Sequence, residues 1–227
     1  MSGDIPISGG PSPSLEKGGN ALLGIGIIVG FSYLAANFVE TPTAVDATWK
    51  AAGIVLFAAY AFSRGAAIAG VALLFGAGGD IALALRPPVF VAGMALFGVG
   101  HALYIVTFIN RMRKNDIDRR FAAGAALIVL GSIALGAWYA PDMGALLIPG
   151  LFYQGLITAM AACAFIAPVP MLGRIGALSF MISDSMIGLG LYKHIAAPPG
   201  AIWIAYVAGQ AMLAAALARK AAISPAS

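Results

Sequence analysis

Eight apolar stretches run through this chain, at about residues 20–39, 47–63, 66–85, 88–110, 119–139, 143–166, 173–192 and 199–219. A helix needs roughly 17–25 such residues to cross about 30 Å of hydrocarbon. No water is available there, so a spanning backbone must satisfy its own hydrogen bonds, as a helix does. The stretches take up most of the 227 residues and leave no room for a separate soluble domain. The chain reads as all-α, a polytopic membrane protein with eight transmembrane helices over 20–219. Residues 1–19, polar and rich in Gly, Pro and Ser, read as a disordered tail lacking the signature of a signal peptide. Residues 220–227 read as a short C-terminal tail.

With 61% hydrophobic and only 10% charged residues, a soluble globular fold is excluded. The net charge of +4 does not point to nucleic acid, because Arg111, Arg113, Lys114, Arg119 and Arg120 share one short loop. Basic residues gather on the cytoplasmic side of membrane proteins. With eight spans, Lys17, Arg64, that cluster, Arg174, Arg219 and Lys220 share the side of both termini, which are expected in the cytoplasm. Lys50, Arg86 and Lys193 fall on the other side. Trp49, Trp138 and Trp203 lie near that outer interface, where amphipathic rings are favoured. A multi-pass location in a bacterial inner membrane is expected. Cys163 is the one cysteine, so no intramolecular disulfide forms.

Two of the few acids, Asp80 and Asp184, sit inside the apolar stretches. A carboxylate in the bilayer costs at least ~2.5–3.5 kcal/mol on insertion scales, so it is kept for a task or held by partners. Depth counted at ~1.5 Å per residue puts both in the outer half of their helices. Lys50, Tyr153, Tyr206 and Gln210 reach the same layer, as do Tyr33 and Asn37. His101 and Tyr104 lie nearer the midplane. Each has a second reading: an Asp held structurally, a snorkelling Lys50, His101 and Tyr104 as interhelical hydrogen-bond partners, and Arg86 and Lys193 as interface anchors or phosphate contacts. Asp80 and Asp184 also occupy the third helix of each half. Each follows a small residue and precedes, by about 21–22 positions, a polar aromatic on the next helix (His101, Tyr206). That spacing suggests a 4+4 parallel repeat about an axis along the membrane normal.

The stretch GDIALALRPPVFVAGMALFGVGHALYIVTF over 79–108 and SDSMIGLGLYK over 183–193 resemble the lysoplasmalogenase, or YhhN-like, family of multispanning membrane proteins. Lys50, the Pro149–Tyr153–Met160 spacing, and Tyr206 with Gln210 add to the likeness. Ala51 stands where the family pattern has Pro, and Gly190 where Asn is common. The resemblance implies hydrolysis of the vinyl-ether bond of a lysophospholipid, giving a fatty aldehyde and glycerophosphoethanolamine or glycerophosphocholine.

Vinyl-ether hydrolysis begins with slow protonation of the β-carbon, and water captures the resulting oxocarbenium ion. It calls for one protonated carboxyl and one negative group, a division of labour glycosidases use for a related cation. Asp80 and Asp184 are the expected pair, with Asp80 assigned as acid and Asp184 as charged partner. Tyr153, Tyr206, His101, Tyr104 and Gln210 are expected to orient water or the ether oxygen. Lys50, Arg86 and Lys193 are expected near the headgroup. No cofactor is expected, and two histidines with one cysteine make no zinc set. A proton-coupled transporter using the same Asp, Lys and His residues is the alternative. An intramembrane aspartyl protease ranks last, because Ala77-Gly78-Gly79-Asp80 departs from the Gly-x-Gly-Asp signature. Headgroup preference and oligomeric state are not readable at this level.

Overall fold

The computed structural model describes residues 13–218, and they form helices and connections. Eight α-helices follow in order: α1 (Pro13–Ser32), α2 (Thr43–Ser63), α3 (Ala67–Ala84), α4 (Phe90–Asn115), α5 (Ala122–Tyr139), α6 (Leu147–Ile166), α7 (Met171–Lys193) and α8 (Ala201–Leu217). Seven helical segments are long and apolar enough to cross a membrane, while α8, at 17 residues, is shorter. The protein is a polytopic helical membrane protein. Residues 1–12 and 219–227, which hold most of both expected tails as well as Arg219 and Lys220, lie outside the described residues.

Some boundaries differ from the sequence reading. Residues 13–19, expected as tail, are the first turns of α1, whose opening residue Pro13 has a backbone angle preset for a helix start. The expected first span closes instead as a 3-10 segment, Tyr33–Phe38. Helix α2 starts at Thr43, so Lys50 lies in its second turn and Ala51 needs no proline to open the helix. Short 3-10 turns, Ala140–Asp142 and Gly144–Leu146, precede α6. Pro149 is tolerated because it sits in the first turn of α6, where its missing N–H has no intrahelical acceptor.

Apolar attraction between helices is weak in lipid, so packing depends on close backbone approach and polar contacts. Two glycine pairs supply the approach. A Cβ on Gly53 of α2 would lie 2.5 Å from Cα of Gly30 on α1. Between α7 and α8, Cβ atoms on Gly176 and Gly209 would each meet the other's carbonyl oxygen at 2.9 Å. Helix α8 buries Trp203, Tyr206, Val207, Gln210 and Leu213 against its neighbours. Ser179 and Ser183 of α7 donate to the carbonyls of Ala205 and Ile202 at 2.8 and 2.9 Å, which fixes the rotation of α7 against α8.

At the end of the bundle that carries the basic loop, Arg174 acts as a clamp. Its guanidinium donates to the carbonyls of Phe165, Val169 and Ala167 at 3.0, 2.8 and 2.9 Å and to Asp118 at 2.8 Å. It also stacks 3.9 Å from the centroid of Phe121. One side chain thus ties the α4–α5 loop to the end of α6 and the start of α7. Removing the guanidinium leaves three carbonyls without this donor while Asp118 keeps Arg120, so Arg174→Ala should cost about 1–3 kcal/mol of stability, measured by unfolding in detergent. Hydrogen bonds from Arg120, and the charges of Arg120 and Arg174, hold the Asp118 carboxyl down at about 2. A depressed carboxylate stabilises the fold above its unfolded value of about 4 and loses that contribution as pH falls through the folded value. The difference in melting temperature between wild type and Asp118→Asn should therefore hold from neutral pH to about pH 4 and vanish towards pH 2.

Candidate active site

Fixing α7 through Ser183 turns the next residue, Asp184, away from α8. There it meets α6 and α4. Tyr153 of α6 donates its hydroxyl hydrogen to Asp184 Oδ2 in a short hydrogen bond. His101 of α4, fully buried, places Nε2 3.2 Å from the Tyr153 oxygen and 3.9 Å from Asp184 Oδ2. Because the one hydrogen of Tyr153 goes to Asp184, the network assigns the donor hydrogen to His101 Nε2. His101 Nδ1 has no hydrogen-bond partner. A neutral ring fits that environment, since an imidazolium would bury a second, unpaired N–H. Asp184 borders two small cavities of about 80 and 50 Å³, both of which also touch Phe90, Met94 and Tyr153.

Asp80 of α3 anchors a second network. It is 3% exposed, and Tyr206 of α8 donates to its Oδ2 at 2.7 Å. Gln210, one turn along α8, directs its amide nitrogen at the Tyr206 oxygen at 3.4 Å. Tyr104 of α4 donates to the amide oxygen of Gln210 at 2.8 Å. An amide has a donor end and an acceptor end, so the chain from Tyr104 through Gln210 to Tyr206 delivers its last hydrogen to Asp80. Glycine makes this fit: a Cβ on Gly76 would lie 3.0 Å from the Gln210 nitrogen and 3.4 Å from the Tyr206 oxygen. Lys50 Nζ lies between two rings, 6.0 Å from the centroid of Tyr33 and 5.8 Å from that of Trp203, and its charge reaches Asp80.

The two networks adjoin. Asp80 and Asp184 lie within electrostatic range of each other. Phe180 of α7 fills the space between them, with its ring centroid 4.8 Å from His101, 5.2 Å from Tyr206 and 6.1 Å from Phe97. Among the expected residues, Asp80, Asp184, Lys50, His101, Tyr104, Tyr153, Tyr206 and Gln210 thus form one connected region. Tyr33 joins its rim; the side chain of Asn37 lies outside the described residues.

Arg86 and Lys193 stand apart. Arg86 is paired with Asp46 at 3.4 Å, and Asp46 also accepts from the Tyr33 hydroxyl at 2.8 Å. Lys193 makes a short ion pair with Asp142 and lies 5.2 Å from the centroid of Trp138. Asp46 and Asp142 fall at helix ends, where acids are ordinary, so the sequence does not single them out; the i, i+4 spacing of Asp46 and Lys50 is the available signal. Phe180 was indistinguishable from the surrounding apolar residues. No group of three or more His, Cys, Asp or Glu suited to a metal occurs among the described residues. Phe180 is 1% exposed, so Phe180→Ala should open a cavity between the networks at a cost of about 3–5 kcal/mol, measured by unfolding in detergent.

The sequence model of the YhhN family matches residues 45–217. Two curated proteins named lysoplasmalogenase, from Mycobacterium bovis and Mycobacterium tuberculosis, are each 31% identical to this chain over 153 residues. That match covers 63% of this chain and 58% of each relative, so it spans little more than half of their length. No solved structure gives a significant match. The family match takes in α2 to α8 and with them both aspartate networks, and this chain belongs to the YhhN family.

Proposed function

We propose that the protein hydrolyses the vinyl-ether bond of a lysophospholipid, releasing a fatty aldehyde and a glycerophospho-alcohol, with Asp184 as acid and Asp80 as charged partner. The observation that carries this reading is the placement of Asp184, hydrogen-bonded by Tyr153 and bordering a cavity, within electrostatic range of a second buried carboxyl. The name shared by the two mycobacterial relatives supports the substrate class.

The assignment of roles reverses the one expected from sequence. Lys50 and the directional chain ending in Tyr206 both complement a negative charge on Asp80. Asp184 faces a tyrosine and a neutral histidine, and Oδ2 is the oxygen that accepts from Tyr153, which leaves Oδ1 to carry a proton. In the reaction, Asp184 gives that proton to the β-carbon of the vinyl ether, and the adjacent carbon and ether oxygen share the positive charge. The fixed charge of Asp80 stabilises this cation. Water adds to the α-carbon and returns a proton to Asp184. The hemiacetal then breaks its bond to the glycerol oxygen, which takes the hydroxyl proton and leaves the aldehyde.

The finer topology belongs to the same proposal. The basic loop faces the cytoplasm of a bacterial cell, both termini lie on that side, and the lysolipid enters from the opposite leaflet with its phosphate near Lys50. Contacts from Arg86 and Lys193 to a headgroup require sharing or opening their ion pairs. A 4+4 repeat is supported by an exchange between halves. Asp80 on the third helix meets Tyr206 on the eighth, while Asp184 on the seventh lies beside His101 on the fourth.

The test is a coupled assay for fatty aldehyde, using purified protein with choline- and ethanolamine-type lysoplasmalogens. Asp184→Asn and Asp80→Asn should each lower kcat by about 10²–10⁴-fold, the usual worth of general acid–base catalysis, without loss of folded protein. Near-normal turnover in Asp184→Asn would remove it as the acid. Wild type that moves protons in proteoliposomes while consuming no lipid would favour a carrier instead.

A further inference from the structure

Helix α6 is flanked by two grooves, one shared with α5 and one with α4. The one shared with α5, about 490 Å³, has a polar floor. There Ser132 and Thr158 hydroxyls meet at 2.5 Å, and Gln154 donates to the Ser132 carbonyl at 2.7 Å. The one shared with α4, about 390 Å³, is walled by Val91, Val99 and Ala102 of α4 and by Pro149, Phe152 and Leu156 of α6. Its polar contribution comes from Tyr153, the residue that donates to Asp184.

We infer that the α4–α6 groove holds the single hydrocarbon chain of the lysolipid, and that the small residues Gly98 and Ala102 set how far the chain reaches. This rests on the hydrolase reading and adds the chain-binding site to it. Three observations converge. First, the groove adjoins the reactive region, because Met94 and Tyr153 line the groove and also both cavities beside Asp184. Met94 is the partition between them, and an unbranched thioether can change rotamer to open it. Second, the groove runs along α4 from Val91 to Ala102, eleven residues or about 16 Å, which suits an extended alkyl chain and exceeds a headgroup. Third, its floor has little room. A Cβ on Gly98 would lie 3.3 Å from Leu156 and 4.0 Å from Tyr153. A chain that passes Met94 from the cavity beside Asp184 then runs along the groove towards Ala102, about 12 Å further along α4. The α5–α6 groove shares neither Met94 nor Tyr153 and does not touch Asp184.

The experiment compares octenyl and hexadecenyl lysoplasmalogens as substrates for wild type and Ala102→Phe. Filling the far end of the groove should lower kcat/KM for the long chain about tenfold relative to the short one, within the range by which pocket shape discriminates chains. An unchanged ratio in folded Ala102→Phe overturns the assignment. Should that variant not fold, Val99→Phe takes its place, since Val99 is 42% exposed on the groove wall and tolerates bulk. A photoreactive lysolipid with a diazirine at the chain end gives a second readout that does not need turnover. Crosslinks on α4 and α6 that excess unlabelled lysolipid removes support the site. Crosslinks elsewhere, or crosslinks that resist competition as bulk lipid would, overturn it. Wild type that releases no aldehyde from either chain yet shows competed crosslinks here would remove the hydrolase reading and leave the chain site standing.

Discussion

A carboxyl group inside a bundle surrounded by hydrocarbon must find its hydrogen-bond donors within the protein, and this chain places Asp80 and Asp184 there. An unsatisfied polar group in such a place costs several kcal/mol, so the donors are as necessary as the acids. Tyr206, Gln210 and Tyr104 answer for Asp80. Tyr153 and His101 answer for Asp184. Helix α4 serves both networks, because His101 and Tyr104 are three residues apart and so share one face. The arrangement of α3, α4, α6, α7 and α8 follows from bringing these groups within reach of each other.

Packing without a strong hydrophobic drive sets the precision of that meeting. The Gly176–Gly209 approach and the Ser179 and Ser183 hydrogen bonds fix α7 on α8. A rotation of α7 by one residue would exchange Ser183 with Asp184, aiming the carboxyl at the α8 backbone and away from Tyr153. The Arg174 clamp holds the basic end of the same helix. The opposite end is looser in kind: Arg86 with Asp46 and Lys193 with Asp142 are ion pairs, and Lys50 rests between aromatic rings. Rigid seating at one end and exposed-end ion pairs at the other are compatible with the proposed entry of a lysolipid.

How much could be read in advance depended on rarity. Charged and polar aromatic residues are scarce in an apolar chain, so Asp80, Asp184, His101, Tyr153, Tyr206 and Gln210 stood out, and the structure gathers them. Phe180 and Met94 could not stand out, although one joins the two networks and the other divides groove from cavity. Apolar residues look alike until their neighbours are known. Arg174 read as a topology signal and proved to be a buried clamp, because the carbonyls it serves come from a turn whose shape the sequence does not display.

The sequence by itself determined that this chain forms membrane-crossing helices and which few polar residues lie among them, because hydrocarbon admits only helical backbone here and makes each polar side chain conspicuous. Tertiary structure alone decided which carboxyl faces a cavity and which is sealed beside Tyr206, that Arg86 and Lys193 already hold acidic partners, and that α4 and α6 leave a groove beside Tyr153. Those outcomes depend on helix rotation and on distances between residues up to 126 positions apart in the chain. Local pattern contains no term for either.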